Sequence, residues 1–428
     1  MNTQIIITLV ITVIMSILFL SGKYPFGLIT MACSVALVIA GINTIPESFT
    51  GLSSQNIIMV ASMFAMSAAL QKTSLAFKLK GLLGAMAGKR DMALIVIMVG
   101  VYVVMLIIMP GIVAMAMILA FMDALPDTGE VSPSRVIMPL LMLNVCWEGL
   151  VPVGLGATRD FNANAYMGGI VTDPQYLFQY GDNFRMRIIP SLAMLVIVLF
   201  IWKVFPQKNL NLANVSDTKI EASSLHKWQE IFIYLLFAAT IVVLVFNSYF
   251  GNLMWIFPAA CVCALGFTKI LNTKELIGSV ASDTVWMLAG ILGVTGALTK
   301  TGAAEVLGNL LLKLISWTDN GFLILLIICM FTSLMTTFLS NGGTVAVLIP
   351  LVASMAVAGN MDPRGMVGVV SLAANYAFCF PTGSTTCALA FAAGQYNPIK
   401  IMKYTLPCLL IVTFLTALSA YMIFPPFG

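Results

Sequence analysis

Two clusters of hydroxyl, amide and glycine residues stand in otherwise apolar sequence: Ser340-Asn341-Gly342-Gly343-Thr344 and Pro381-Thr382-Gly383-Ser384-Thr385-Thr386. Such residues offer hard neutral oxygens and exposed backbone N–H groups. That donor set suits a small cation held beside a carboxylate. Ser340, Asn341, Gly343, Thr344, Thr382, Gly383 and Ser384 are the candidate substrate contacts, and Asn341 and Thr382 also serve the coupling ion. Ser340, Asn341 and Gly383 are the candidate metal ligands, for Na+. A related stretch, Val153-Gly154-Leu155-Gly156-Ala157-Thr158-Arg159-Asp160-Phe161-Asn162, occurs earlier. Its glycines permit close backbone approach, and Thr158 and Asn162 are further candidate substrate contacts. Arg159 pairs either with an anionic substrate or with Asp160. Glu148 lies in Asn144-Val145-Cys146-Trp147-Glu148-Gly149, inside an expected span. A carboxylate in lipid is expensive and defaults to a functional reading. It binds a cation, carries a proton, or serves as a structural partner to Arg159 or a backbone donor. No HExxH motif, intramembrane aspartate pair or Ser–His arrangement points to an enzyme. The sole histidine, His226, carries no assigned chemistry. Among the eight cysteines, Cys261 and Cys263 are not at zinc spacing.

These residues need a scaffold, and the composition states its solvent. Of 428 residues, 60% are hydrophobic and 9% charged, against about 25% charged in a globular protein. The chain is therefore an all-α polytopic membrane protein embedded in a lipid bilayer. The net charge of +4 is too small for a nucleic-acid partner. A channel needs a continuous polar stripe or a charged ring, and neither is present. Apolar runs predict spans near 4–20, 26–42, 55–71, 135–152, 188–205, 229–247, 252–270, 283–299, 364–380 and 404–424. The first run lacks a basic leader and is expected to be a span, not a cleaved signal. Two longer runs, 92–125 and 321–358, break at Met109-Pro110-Gly111 and at Ser340–Thr344. Each is expected to be a re-entrant hairpin, with two separate spans as the alternative.

The chain also repeats itself. Ile58-Met59-Val60-Ala61 and Ala69-Leu70-Gln71-Lys72-Thr73 match Trp286-Met287-Leu288-Ala289 and Ala297-Leu298-Thr299-Lys300-Thr301 at an offset of 228. The two broken runs align at a similar offset. The expected organisation is a first repeat over 1–205, a cytoplasmic linker over 206–228, and a second repeat over 229–428. Each repeat has five transmembrane helices plus one re-entrant hairpin. Five is odd, so the second repeat is inverted. On this model Lys and Arg divide 15 to 6 between the two sides. The richer side, which includes the linker, is cytoplasmic, and both termini face outward. The 6 include Arg159, Arg185 and Arg187. The Lys78, Lys80, Lys89 and Arg90 group is expected on an interfacial amphipathic helix. Paired interruptions at matching positions of inverted halves mark a transporter's midplane site.

The run Ser340 to Thr344, then Val345 to Pro350, Asp362-Pro363-Arg364 and Pro381-Thr382-Gly383 resembles the divalent-anion/sodium symporter family of the wider ion transporter superfamily. That family includes carriers of dicarboxylates, citrate and sulfate. The resemblance implies a scaffold domain, a mobile transport domain, Na+ at each tip and break, elevator-type alternating access and a homodimer. Ser340 and Asn341 match the first two positions of the family's Ser-Asn-Thr tip, and Thr382, Gly383 and Ser384 match its second break. Gly342 stands where the family has Thr. Pro110 and Gly111 replace Ser-Asn in the first half, which leaves the first cation site open. The expected function is symport of a small organic anion, a carboxylate, with Na+ or H+ in the cell inner (cytoplasmic) membrane. The alternative within the superfamily is a Na+/H+ antiporter.

Overall fold

The computed structural model describes residues 3–21, 23–74, 91–122, 131–206, 225–315, 317–338, 341–381 and 384–427. Among them every regular element is a helix. The first half runs α1 (Thr3–Ser21), α2 (Phe26–Ile39), α3 (Ile45–Ser48), α4 (Gln55–Gln71), α5 (Asp91–Ile108), α6 (Gly111–Met122), α7 (Pro133–Trp147), α8 (Thr158–Met167) and α9 (Asp182–Ile201). The second half runs α10 (Lys227–Val245), α11 (Asn247–Phe250), α12 (Leu253–Phe267), α13 (Thr273–Val280), α14 (Asp283–Thr301) and α15 (Ala303–Ile315). It continues with α16 (Gly321–Phe338), α17 (Asn341–Ala358), α18 (Pro363–Ala373), α19 (Thr385–Ala393) and α20 (Pro398–Ile423). Proline opens α7, α18 and α20, where its missing N–H is no loss. Five helical stretches among the described residues are long and apolar enough to cross a bilayer, and six shorter apolar helices accompany them. The expected interfacial helix with Lys78, Lys80, Lys89 and Arg90 lies outside the described residues. So do most of the expected linker and the candidate residues Ser340, Thr382 and Gly383.

Packing interleaves the two halves, and the pairings recur when the halves are exchanged. The α2–α14 contact has its counterpart in α12–α4, α6–α19 in α17–α8, and α7–α9 in α18–α20. Two groups of helices result, each drawn from both halves. One gathers α1–α4 with α10–α14, the other gathers α5–α7 and α9 with α16–α20, and α8 packs against both, on α4 and α14 of the first and on α17 of the second. The first is closed at α2–α14, where small residues let two backbones approach. A side chain at Gly290 would overlap Thr30, and one at Gly293 would come within 2.2 Å of the Ser48 carbonyl. Ser34 Oγ donates to the Gly290 carbonyl at 3.1 Å, and Asn43 Nδ2 to the Gly293 carbonyl at 3.0 Å. The start of α2 is capped from the other half. Asp283 Oδ1 accepts from the Gly27 N–H at 2.8 Å, and Oδ2 from the Phe26 N–H at 3.1 Å. A carboxylate there complements the positive end of the helix.

Two expected spans are shorter than their apolar runs. The 135–152 run ends its helix at Trp147, and the 364–380 run ends at Ala373. Hydropathy continues beyond both points, but the backbone turns: Gly149 adopts φ +59°, and buried side chains take the last carbonyls of α7. Glu148 therefore sits at the break and not within a helix, as the hydropathy profile suggests.

Candidate functional site

The first-half break in 92–125 is short: α5 ends at Ile108 and α6 begins at Gly111. A helix N-terminus presents N–H groups without intrahelical partners. Pro110 has no N–H, so Gly111 supplies the leading donor of the tip. That N–H points at Glu148 Oε1, 2.8 Å away, across from the end of α7. Asn144, one turn back on α7, completes the tie. Its Nδ2 donates to the Gly111 carbonyl at 2.9 Å and to Tyr102 Oη on α5 at 2.6 Å. Glycine at the tip lets α7 approach closely: a Cβ at position 111 would lie 2.4 Å from Asn144 Oδ1 and 2.8 Å from Glu148 Oε2 and would displace those side chains. The tip that is bare of side-chain oxygen in sequence is thus furnished with oxygen by α7.

The C-terminal end of α7 is held by two guanidinium groups. Arg187 on α9, 1% exposed, donates to the Val145 carbonyl at 2.7 Å and the Glu148 carbonyl at 2.9 Å. Arg159 on α8 donates to the Glu148 carbonyl at 2.7 Å and the Gly149 carbonyl at 3.0 Å. Cations at a helix C-terminus complement its negative end, and backbone polar groups at membrane depth need such partners. Arg159 therefore does not pair with Asp160, the alternative open in the sequence. Asp160 accepts instead from the Gly181 and Asn183 N–H groups at 2.8 Å each and from Asn183 Nδ2 at 2.7 Å. It caps the start of α9. Nor is Arg187 a surface charge that marks a side of the membrane, as the count of basic residues has it. It is interior, because the carbonyls of the break need its donors.

The second half is arranged in the same manner with other residues. Asn341 opens α17, and its Oδ1 accepts from Thr336 Oγ1 at 3.0 Å on the last turn of α16. The same hydroxyl also reaches the Ala374 carbonyl at the end of α18, so its one proton is shared between the two acceptors. Helix, tip and break are thereby tied together, as Tyr102, Gly111 and Asn144 tie them in the first half. Gly343 and Thr344 are buried in the first turn of α17. Ser384 is the N-cap of α19, with Oγ accepting from the Cys387 N–H at 3.2 Å. α19 packs against α6 and α7, the helices of the first-half tip and break. Thr158 donates to the Leu155 carbonyl at 2.8 Å, and Asn162 Nδ2 donates to Thr158 Oγ1 at 3.4 Å.

The structure thus brings Glu148 to the first tip and Arg159 to the same break. It sets Asn341, Gly343 and Thr344 together at the second tip. Sequence reasoning missed Asn144, Tyr102, Thr336 and Arg187. An arginine directly ahead of an apolar run was the available signal for Arg187. Nothing local distinguishes Thr336 from the helix-embedded hydroxyls around it. Among the described residues no group of three or more His, Cys, Asp or Glu side chains is gathered as for a metal ion.

Comparison with known proteins finds transporters. Residues 16–316 match the model of the CitMHS family, described as citrate transporters. An uncharacterized transporter of Synechocystis, sll0640, is 26% identical over 165 residues, which are 39% of this chain and 27% of that protein. The sodium-dependent dicarboxylate transporter SdcS of Staphylococcus saprophyticus is 28% identical over 151 residues, 34% of this chain and 29% of its own. The match thus spans under a third of the length of either relative. Among solved structures, the YdaH transporter of Alcanivorax borkumensis superposes with a TM-score of 0.65 at 13% identity, covering 95% of this chain and 98% of that one. That likeness shows a shared fold.

Proposed function

We propose that this chain, which belongs to the citrate transporter family, moves a small organic anion, a carboxylate, across the inner membrane by symport with a cation. Family and relatives are transporters and not enzymes. One observation carries the finer reading. In each half a broken run ends in a tip tied to the break after the next helix, and α6–α19 and α17–α8 pack as exchange-related pairs. Helix N-termini grouped in this way favour an anion, and the nearby carbonyls and hydroxyls favour a small cation. Ser340, Asn341, Gly343, Thr344, Thr382, Gly383 and Ser384 line the second-half site in this reading, with Thr158 and Asn162 opposite. Asn341 and Thr382 share the cation with substrate, and Ser340, Asn341 and Gly383 ligate Na+.

The two contact groups support an elevator. The group of α5–α7 and α9 with α16–α20 carries both tips and is the moving part, and the group of α1–α4 with α10–α14 is the scaffold and the homodimer face. The halves are inverted repeats, with the linker cytoplasmic and both termini outside. Glu148 at the first tip favours a second reading, a Na+/H+ antiporter without organic substrate.

Reconstituted protein and a set of labelled carboxylates separate the two. Anion uptake that rises with an inward Na+ or H+ gradient is the expected result. Na+ flux that depends on a pH gradient alone, with no anion uptake, selects the antiporter and removes the symporter.

A further inference from the structure

The two ends of α8 are held by different groups of helices. At its start Arg159 donates to the Glu148 and Gly149 carbonyls, and Asp160 accepts from the start of α9, which ties that end to the first break. At the other end the helix stops at Met167, and Gly168 and Gly169 lie against α14. A helix C-terminus leaves carbonyls without intrahelical donors. Here the Gly168 carbonyl accepts from Thr295 Oγ1 and the Gly169 carbonyl from Thr299 Oγ1, one turn further along α14. Glycine permits this approach of backbone to helix. A Cβ at 168 would stand 2.2 Å from Leu292 Cδ2, and one at 169, where φ is +82°, 3.0 Å from the Gly296 nitrogen. Both hydroxyls have a second acceptor on their own helix. Thr295 Oγ1 reaches the Leu292 carbonyl and Thr299 Oγ1 the Thr295 carbonyl, each at 3.2 Å. A hydroxyl has one proton to give, so each can leave its glycine carbonyl without being stranded. Gly169 is exposed and is followed by the polar pair Thr172-Asp173, so water can replace the hydroxyl at that carbonyl.

The neighbouring seam along α17 is smooth. Ala346, Val347, Pro350 and Leu351 face α1, α14 and α15 around a void of about 30 Å³. Further along, Ser354, Val357 and Ala358 line a cavity of about 400 Å³ together with Thr299, Gly302 and Ile170. Small apolar side chains beside unfilled space forgo part of their dispersion contacts, and such a face can slip. Directional bonds fix its position. We propose that Thr295 and Thr299 form a reversible latch, which holds α8, and through it the first break, to the scaffold in the state seen here and releases when the moving part shifts. This rests on the elevator reading above and adds the contact that must break for the shift to occur. A neutral hydrogen bond contributes modestly to a folded arrangement, and loss of each hydroxyl should move the balance away from the latched state by about two- to tenfold.

Hydrogen exchange of the full chain in lipid vesicles tests it, because exchange reads local opening. The Gly168, Ile170 and Val171 N–H groups are bonded to carbonyls of the last turn of α8 and report on the latch. Thr295→Val and Thr299→Val, singly and together, remove the hydroxyls at nearly constant shape, and the two Thr→Ser variants keep them. Exchange at 168–171 is expected to quicken about two- to tenfold for each valine and to stay at the wild-type rate with serine. Exchange at 286–293, where α14 packs on α2, and the melting temperature should not change. A second arm places cysteines at Val357 and Thr299, which line one cavity, in a Cys263→Ser background that removes the exposed native thiol. Joined by a short bifunctional maleimide, they should slow exchange at 168–171. Unchanged exchange in the double valine variant, with the tether still effective, overturns the latch and leaves the elevator standing. Exchange that rises equally at 286–293 with a falling melting temperature also overturns it, since the bonds would then hold the fold. A tether that leaves 168–171 unaffected shows a seam that does not open, and overturns the elevator as well.

Discussion

Arg187→Met should unfasten the break after α7. The arginine is 1% exposed and gives two hydrogen bonds, to the Val145 and Glu148 carbonyls. In the variant the Glu148 carbonyl keeps Arg159 Nη2 at 2.7 Å, and the Val145 carbonyl loses the guanidinium donor. A buried carbonyl left without a donor costs about 1–3 kcal/mol, and a hydrogen bond from a charged donor contributes about 1.5–3 kcal/mol. The sum is about 2.5–6 kcal/mol. Removing a buried guanidinium also relieves its desolvation, which places the net loss near the lower end, about 3 kcal/mol. Arg185 is the control. It lies two residues away on α9, its side chain is 63% exposed, and it pairs with Asp182 at 3.4 Å. Exposed pairs contribute about 0–1 kcal/mol, so Arg185→Met should be nearly silent. Thermal or denaturant unfolding of both variants in the same detergent, with uptake measured alongside, makes the comparison. Equal stability of Arg187→Met and wild type would refute the claim that the break is held through its carbonyls. Equal damage from the two variants would show that the lost charge matters and not the capped helix end.

Other outcomes follow from single contacts. Asn341→Ala removes the acceptor of Thr336 Oγ1 at the second tip and should abolish cation-stimulated uptake while leaving folded protein in the membrane; undiminished uptake would take the second tip out of the site. Gly293→Ala puts a Cβ 2.2 Å from the Ser48 carbonyl and should destabilise by about 1–3 kcal/mol as α14 is pushed from its neighbours, which unfolding curves would detect. Glu47, at the exposed end of the first group, has its carboxyl lowered from 4.5 to about 2, chiefly by the hydrogen bond from Lys300. A depressed carboxyl stabilises above its unfolded value and loses that contribution as pH falls through the folded one. Glu47→Gln should therefore lower the melting temperature slightly at neutral pH, with a difference that shrinks steadily below about pH 4.5; a pH-independent difference would assign the effect to something other than this ion pair.

Composition determined that the solvent is lipid, because a chain with so few charges has no other way to hide its surface. The repeat of Met59–Ala61 and Ala69–Thr73 at Met287–Ala289 and Ala297–Thr301 gave the order of helices, since matching local patterns build matching local elements. The first break was legible because Pro110 and Gly111 stand together in an apolar run, and the start of α17 at Asn341 because Ser, Asn and Gly cluster there; single prolines such as Pro139 and Pro350 stay inside their helices. What faces a break was not legible. Glu148 and Gly111 are 37 residues apart, and Arg187 is 39 beyond Glu148; no spacing rule couples them. Only folding, which brings α7 beside α6 and α9, assigns the carboxylate to one helix end and the guanidinium groups to another. The sequence placed Arg159 beside Asp160 because they are neighbours along the chain. Adjacent residues on a helix point in different directions, so one reaches the carbonyls of the break and the other the start of α9. Pairing of charges is a property of directions in space, and those become fixed when the helices pack.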